Sequence, residues 1–270
     1  MIVVIGSSGQ LGNELVSCCD KFALSFAGLT HDSVGVESAH SVEKALGGIG
    51  IPPTAVINTA AFHDLQKCEE DPERAYAINT EGAANVARWC RAHESKYVFV
   101  STDYSNGTPA DDNGFPLSVY AKTKLAGELC ALAIDPTSLI LRLGTVYGLA
   151  GCSGKPGRGN FIDTVVEKVK KQEPFTLPAY TSLPTTSARH AAERILKNLD
   201  KSGVWYGTDP GASMSHYQLG QRIAMYLHLP DKIMAVSKDP NDTLRPHTVN
   251  VGRPLPWTTC PATTIPEYLY

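Results

Sequence analysis

At 270 residues the chain has room for one large α/β domain, or for one domain with a smaller appendage. With 43% hydrophobic and 19% charged residues it has the make-up of a globular protein with a sizeable core, and a net charge of −3 without any basic run excludes the footprint of a nucleic-acid binder. No apolar stretch reaches the length of a membrane span, so no membrane partner is expected. The start, MIVVIGSSGQLG, is apolar but short, lacks a positive leader and runs straight into glycines, which predicts a first strand and not a signal peptide. Seven cysteines are scattered, with no CxxC and no Cys/His cluster of metal-ligand spacing. They predict reduced, mostly buried thiols in a cytoplasmic protein, with no metal site.

In chain order, β-branched runs predict strands at Ile2–Ile5, Ala23–Leu29, Ala55–Thr59, Tyr97–Ser101 and Ser138–Leu143. Helical patterns lie between them. One starts near Gln10 with Leu11, Leu15, Val16 and Cys19 on one stripe, and a short one runs from Ser41 to Leu46. A third spans about Pro72 to His93, and a fourth about Val119 to Ala133. Strands alternating with helices predict a doubly wound parallel sheet of Rossmann type, and the continuously apolar AVINTA and YVFVS suit strands covered on both faces. Beyond about residue 144 the loops lengthen and gain Gly and Pro. Helices near Phe161–Lys171 and Ser215–Leu227 and strands near Val204–Thr208 and Ile233–Val236 follow. The expected division is a dinucleotide-binding domain over 1–148, its sheet completed by later segments, and a smaller α/β substrate lobe over 149–270.

GSSGQLG sets Gly6, Gly9 and Gly12 between a strand and a helix, the context that the dinucleotide fingerprint requires. Gly6 permits the tight turn, Gly9 lets the backbone approach a pyrophosphate, and Gly12 lets helix and strand pack closely. The helix N-terminus offers free N–H groups to phosphates. Asp32, in LTHDS after the second strand, is placed to accept from an adenosine ribose, or else caps the next turn. No Lys or Arg occurs between Lys21 and Lys44 to clamp a 2′-phosphate, and His31 is a weak substitute. The residues therefore lean toward NADH over NADPH.

Tyr120 and Lys124, in SVYAKTKLAGE, share one face of a helix. A phenol with a pKa of about 10 is a poor proton donor or acceptor at neutral pH unless a nearby ammonium stabilises the phenolate. Lys124 is expected to lower the Tyr120 pKa in this way and to hold the nicotinamide ribose, while Tyr120 protonates a carbonyl oxygen. The pair follows a strand ending in Ser101-Thr102-Asp103, at the carboxyl edge where doubly wound sheets bind ligands. There Thr102 is placed to bind a substrate carbonyl, and Asp103 a substrate hydroxyl or the tyrosine. Either residue could instead merely end the strand.

These motifs, with INTAA (Ile57–Ala61), the run from Asn79 to Ala87, STDY (Ser101–Tyr104) and YAKTKLAGE (Tyr120–Glu128), occur in an order that resembles the extended short-chain dehydrogenases, and within them the dTDP-4-dehydrorhamnose reductases. The likeness covers nearly the whole chain. It is strong to about residue 148 and thinner beyond, where NFIDTV, LPT (Leu183–Thr185) and LRP (Leu244–Pro246) resemble the family's substrate lobe. It implies reduction of the 4-keto group of a nucleotide-linked 6-deoxy sugar by NADH or NADPH. By position, Gln10 and Leu11 would touch the pyrophosphate, and Ala60, Ala61 and Phe62 would line the cofactor channel. Thr102, Asp103, Tyr120 and Lys124 would take the roles described above, in a protein compatible with a homodimer.

The chain departs from the family in three places. STDYSNG stands where STDYVFDG is typical, Thr145 in GTVYG stands where a substrate-stacking tryptophan is usual, and Gln66 replaces an acidic residue. These leave the sugar's identity open. Arg158 in KPGRG and Arg245 are candidate diphosphate ligands, with a solvated loop as the alternative for the first. Two other functions compete: a non-catalytic regulator resembling the regulatory subunit of methionine adenosyltransferase, and a sugar-nucleotide epimerase or dehydratase.

Overall fold

The computed structural model describes residues 1–108, 115–148, 161–180, 184–208, 213–236 and 248–249. Four-residue apolar strands, β1 (Ile2–Ile5) and β3 (Ala55–Asn58), are buried along their whole length. Between them come α1 (Gln10–Lys21), β2 (Phe26–Leu29) and α2 (Ala39–Gly47). β2 begins later than Ala23, because Ala23 itself adopts a left-handed backbone with φ 52° that cannot extend a strand.

The segment expected to be one helix from Pro72 to His93 is broken up. After α3 (Leu65–Glu70) the chain forms α4 (Pro72–Tyr76), a single wide π turn (Ala77–Glu81) and then α5 (Gly82–Ala92). The π turn carries Asn79 into the core. A one-residue widening of this kind leaves the apolar spacing almost unchanged, so periodicity does not reveal it. Next come β4 (Lys96–Thr102), a 3₁₀ turn (Asp103–Asn106), β5 (Gly107–Thr108), α6 (Val119–Ile134), β6 (Leu139–Leu143) and β7 (Thr145–Tyr147). The rest comprises α7 (Phe161–Lys171), β8 (Phe175–Pro178), β9 (Thr185–Ser187), α8 (Ala188–Lys197), β10 (Gly203–Tyr206), α9 (His216–Tyr226), β11 (Ile233–Val236) and β12 (Thr248–Val249).

Six strands form one sheet in the order β10-β6-β4-β3-β1-β2, and every pair is parallel. The order reverses between β1 and β3, which makes the crevice above their carboxyl ends the ligand position of a doubly wound fold. One face of the sheet buries Val4, Ile57, Val98 and Leu141 under α1 and α8. The other buries Val3, Val56, Phe99 and Ile140 under α2, α5 and α6. A third core joins Ile162, Val165, Leu177, Leu219, Ile223 and Ile233 in a lobe built from α7, α9 and the β8–β11 pair. Between the two parts of that lobe the chain returns to the main sheet, where α8 packs on α1 and β10 pairs with β6.

α6 lies close against the π turn. Gly127 faces the Asn79 backbone carbonyl so tightly that a Cβ there would overlap it, with Phe99 Cζ and Ala83 Cβ also near. Thr80 Oγ1 donates to the Thr123 carbonyl at 2.8 Å and strengthens the same seam. Gly127→Ala should therefore push α6 off its seat and cost about 1–3 kcal/mol, the usual penalty for an extra methyl in a packed core. Urea unfolding monitored by far-UV circular dichroism checks this, and an unchanged midpoint would contradict the close approach.

Candidate active site

The first wall of the crevice is the glycine turn. Gly6 has φ 81°, and a Cβ on it would sit 2.5 Å from Thr59 Oγ1, so the position requires glycine on both counts. Gly9 is the N-cap of α1 without a side-chain cap, and the first turn of α1 carries no acidic residue. The free N–H groups and the positive end of the helix dipole therefore open into the crevice uncompensated. A Cβ on Gly12 would run into the Gly6 carbonyl, so that glycine sets the strand-to-helix distance. Thr59 Oγ1 donates to the Ile5 carbonyl at 2.8 Å and clamps the end of β3 to the turn. This cradle fits a pyrophosphate. The Gln10 and Leu11 side chains are both buried, Leu11 within the core. Leu11 would therefore meet a phosphate through its backbone alone.

Ala60, Ala61 and Phe62 leave β3 along the next wall, partly exposed. Asn79, fully buried in the π turn, holds this wall in place: Phe62 N donates to Asn79 Oδ1 at 2.8 Å, and Asn79 Nδ2 donates to the Phe62 carbonyl at 2.9 Å and to Thr123 Oγ1 at 3.0 Å. Thr123 Oγ1 in turn donates to the Tyr120 carbonyl at 2.8 Å. One asparagine thus joins the Phe62 wall to the helix bearing Tyr120. Sequence reasoning missed it, although it opens the Asn79–Ala87 run.

The third wall is the end of β4 with the start of α6. Ser118 caps α6 by accepting from Ala121 N, and Val119 N donates to Glu69 Oε1 at 2.8 Å. This fixes the first turn, with Tyr120 partly exposed at the rim, while Thr102 Oγ1 accepts from Tyr104 N at 3.2 Å. Tyr104 packs edge-on against the Tyr120 ring, with centroids 6.3 Å apart. Lys124 is buried: Nζ donates to the Val100 carbonyl at 2.7 Å and sits 4.0 Å from the Phe99 ring centroid.

The titrations follow from burial. Crowding by protein pushes the Tyr120 phenol well above its ordinary value, and the contact with Thr102 only partly offsets this. The expected lowering by Lys124 is therefore not found, because the ammonium turns toward the Val100 carbonyl, and its own pKa is pulled down by burial to about 7. Asp103 is fully buried, its Oδ2 meets no hydrogen-bond partner, and desolvation pushes its carboxyl up to about 8 despite the Thr102 contact. At neutral pH it is largely protonated and can donate.

The remaining candidates lie further out. His31 and Asp32 follow β2 on the surface, with His31 Nε2 3.1 Å from Asp32 Oδ1 and both side chains exposed. Thr145, on β7, is held by its N–H to the Pro184 carbonyl at 2.9 Å, with its side chain partly exposed. Arg158 and Arg245 lie outside the described residues. Among the described residues no group of three or more His, Cys, Asp and Glu could hold a metal, and no helix is long and apolar enough to cross a membrane. Cys18, Cys19, Cys68 and Cys90 are buried, Cys68 Sγ donating to the Phe62 carbonyl, and desolvation holds the Cys18 thiol at about 11, far from a reactive thiolate.

Comparison with known proteins places this arrangement in a family. The RmlD substrate binding domain matches residues 1–250. The chain belongs to that family. Among curated relatives it is 33% identical over 153 residues to a dTDP-4-dehydrorhamnose reductase of Mycolicibacterium smegmatis, a match spanning 54% of this chain and 46% of that protein, about half its length. It is 27% identical over 253 residues to the spore coat polysaccharide biosynthesis protein SpsK of Bacillus subtilis, spanning 91% of this chain and 86% of that one. A crystal structure of dTDP-4-dehydrorhamnose reductase from Bacillus anthracis in complex with NADP matches with a TM-score of 0.82 at 23% identity, covering 93% of this chain and 90% of that one. The corresponding protein of Clostridium acetobutylicum gives 0.81 at 24%, with the same coverage. At these identities the structures establish the shared fold.

In this RmlD-family chain the buried Asp103 costs stability in a definite pH window. Its folded pKa lies above the unfolded value, so the folded state binds more protons than the unfolded state between the two, and stability falls as pH rises through that range. Asp103→Asn removes the effect. It should leave stability near wild type at about pH 4 and raise it by at least about 1 kcal/mol at about pH 8.5. Urea melts at the two pH values check this, and a gain of equal size at both would contradict the buried carboxyl as its source.

Proposed function

We propose that the chain reduces the 4-keto group of a nucleotide-linked 6-deoxy sugar, with NADH or NADPH in the crevice between β1 and β3 and Tyr120 as the proton donor. The observation that carries this is the seating of Tyr120, with Lys124 buried one turn on, at the start of α6 where that helix packs on β4, in a sheet whose glycine turn leaves the α1 N-terminus open to phosphates. The named relatives support it: several curated ones are dTDP-4-dehydrorhamnose reductases, and a neighbour of the same fold was solved with NADP. The bound nicotinamide would supply the hydride.

Each of the chain's own groups has a task. Gly6, Gly9, Gly12 and the backbone of Gln10 and Leu11 hold the pyrophosphate, and Ala60, Ala61 and Phe62 line the channel beyond it. Thr102 and Tyr120 hold the substrate carbonyl oxygen. As the carbon receives hydride, the Tyr120 O–H bond breaks and the new alcohol O–H forms, so the alkoxide is quenched where it develops. Lys124 in its ammonium form, once turned from the Val100 carbonyl toward the crevice, stabilises the phenolate left behind, which is recharged from solvent. Asp103, enclosed beneath the site and protonated at neutral pH, adds no like charge near the developing alkoxide. The lobe of α7, α9, β8 and β11 holds the sugar nucleotide, with Thr145 on its near side and Arg158 and Arg245 as candidate diphosphate ligands. His31 and Asp32 meet the adenosine ribose, and Asp32 favours NADH.

The test is direct. The purified chain, an enzymatically prepared dTDP-4-keto-6-deoxy sugar and either nicotinamide should give a falling absorbance at the nicotinamide band. Tyr120→Phe should lower kcat/KM at least ~100-fold while cofactor affinity is kept. Cofactor binding without turnover on any 4-keto nucleotide sugar would overturn the reductase and support the regulatory alternative.

A further inference from the structure

Glu128 lies one turn beyond Lys124 on α6, as Lys124 lies one turn beyond Tyr120, so the three share a face of the helix. Glu128 is 1% exposed. Its carboxylate is fully engaged. Arg142 Nε donates to Oε1 and Oε2 at 3.0 and 3.1 Å, Arg142 Nη2 donates to Oε2 at 2.7 Å, and Ser101 Oγ donates to Oε1 at 2.5 Å. Arg142 Nη1 reaches Tyr206 Oη at 2.9 Å, and that hydroxyl also accepts from Asn106 Nδ2 at 3.0 Å. The network thus ties α6 to β4, β6, β10 and the turn after Asp103.

A buried ion pair is a poor device for stability, since desolvating both charges offsets most of their attraction and well-packed apolar residues often do better. What this pair supplies is a fixed orientation of charge. Its carboxylate end acts on Lys124, and its guanidinium end acts on Asp103. Among the described residues the other surroundings of Lys124 are neutral, exposed or already paired. β4 presents the Val100 carbonyl and the Phe99 ring, the Tyr120 phenol stays protonated, and the buried part of the π turn presents Asn79. Glu81, Arg88 and Arg91 on the π turn and α5 are exposed, as are Glu73 and Arg74 on α4, and Glu69 on α3 is bound to Val119 N.

We propose that Glu128 is a positioning residue whose carboxylate, clamped by Arg142 and Ser101, is the countercharge for the Lys124 ammonium. The inference rests on the reductase reading for its purpose, because an ammonium at Lys124 is what the phenolate of Tyr120 needs. Without Glu128 the burial of Lys124 goes uncompensated and the lysine turns neutral at lower pH.

The experiment reads Lys124 itself. Protein labelled with ¹³C at lysine Cε is titrated by NMR without substrate, with the Lys124 resonance assigned from its loss in Lys124→Met. Glu128→Gln should move the Lys124 midpoint down by about one pH unit, a tenfold change in its protonation equilibrium, and Glu128→Asp should move it less. An unchanged midpoint in a folded Glu128→Gln protein overturns the proposal. If that variant does not fold, Glu128→Asp decides: a lowered midpoint supports the proposal and an unchanged one overturns it. Turnover then adds an independent readout. The high-pH limb of kcat should shift down in the variants by the same amount as the midpoint. If wild-type protein shows no turnover, the reductase reading fails while the titration still tests the Glu128–Lys124 relation.

Discussion

Three polar side chains stand one per turn along α6, the last two of them buried against the sheet, and most of the site's design follows from accommodating them. A helix that packs on a parallel sheet ordinarily offers that sheet an apolar stripe. α6 offers Tyr120, Lys124 and Glu128, one per turn, at the carboxyl end of β4. Each buried charge requires a partner or must lose its charge. Glu128 finds Arg142 and Ser101. Lys124 finds a carbonyl and a ring face, which is less than a full ion pair, and its pKa falls accordingly. Asp103, beside them, has a carboxyl oxygen without a partner and moves the other way.

The same constraint explains why the neighbouring backbone is so tightly held. A polar stripe works only if its partners stay in register with it. Gly127 lets α6 come down onto the π turn, Thr80 and Asn79 tie that turn to Thr123, and Asn79 also takes both polar groups of the Phe62 backbone. Thr59 performs a similar task on the other side, fastening β3 to the Gly6 turn. Two polar side chains, the buried Asn79 and the half-buried Thr59, thereby set the distance between the Gly6 turn and α6. Neither belongs to the recognisable catalytic motif.

Much of this was legible in the sequence where one local signal sufficed. β1, β3 and β4 are continuous apolar runs, the Gly6–Gly12 turn stands between the first strand and the first helix, and Tyr120 and Lys124 declare their shared face through their four-residue separation. Three features were missed for physical reasons. The π turn alters hydrogen bonding without altering the apolar period, so Pro72 to His93 looked like one helix. α8 was passed over because it follows a loop rich in Pro and Thr, although Ser187 before Ala188, Ala191, Ala192 and Ile195 is a capped apolar stripe. Arg142 inside LILRL and Glu128 one turn past Lys124 were each visible, but their relation spans two elements and appears only when β6 is laid beside β4. Arg158 and Arg245, chosen on chemistry alone, fall outside the described residues.

Lys124 and Asp103, moved by burial to about 7 and about 8, make the site's charge a sensitive function of what enters it. An anion in the crevice favours the ammonium of Lys124 and the neutral carboxyl of Asp103, so by linkage its binding takes up protons near neutral pH. Both changes act in the direction that carbonyl reduction needs, toward a charged lysine beside the phenol and an uncharged acid beside the developing alkoxide. The Glu128–Arg142 pair sets how far each group must move. Its carboxylate draws Lys124 toward the protonated form, while its guanidinium holds Asp103 closer to ionisation than burial alone would. A site built in this way keeps a desolvated lysine and a desolvated carboxyl at the edge of titration. The resulting loss of stability is the physical cost of groups that answer to a ligand's charge.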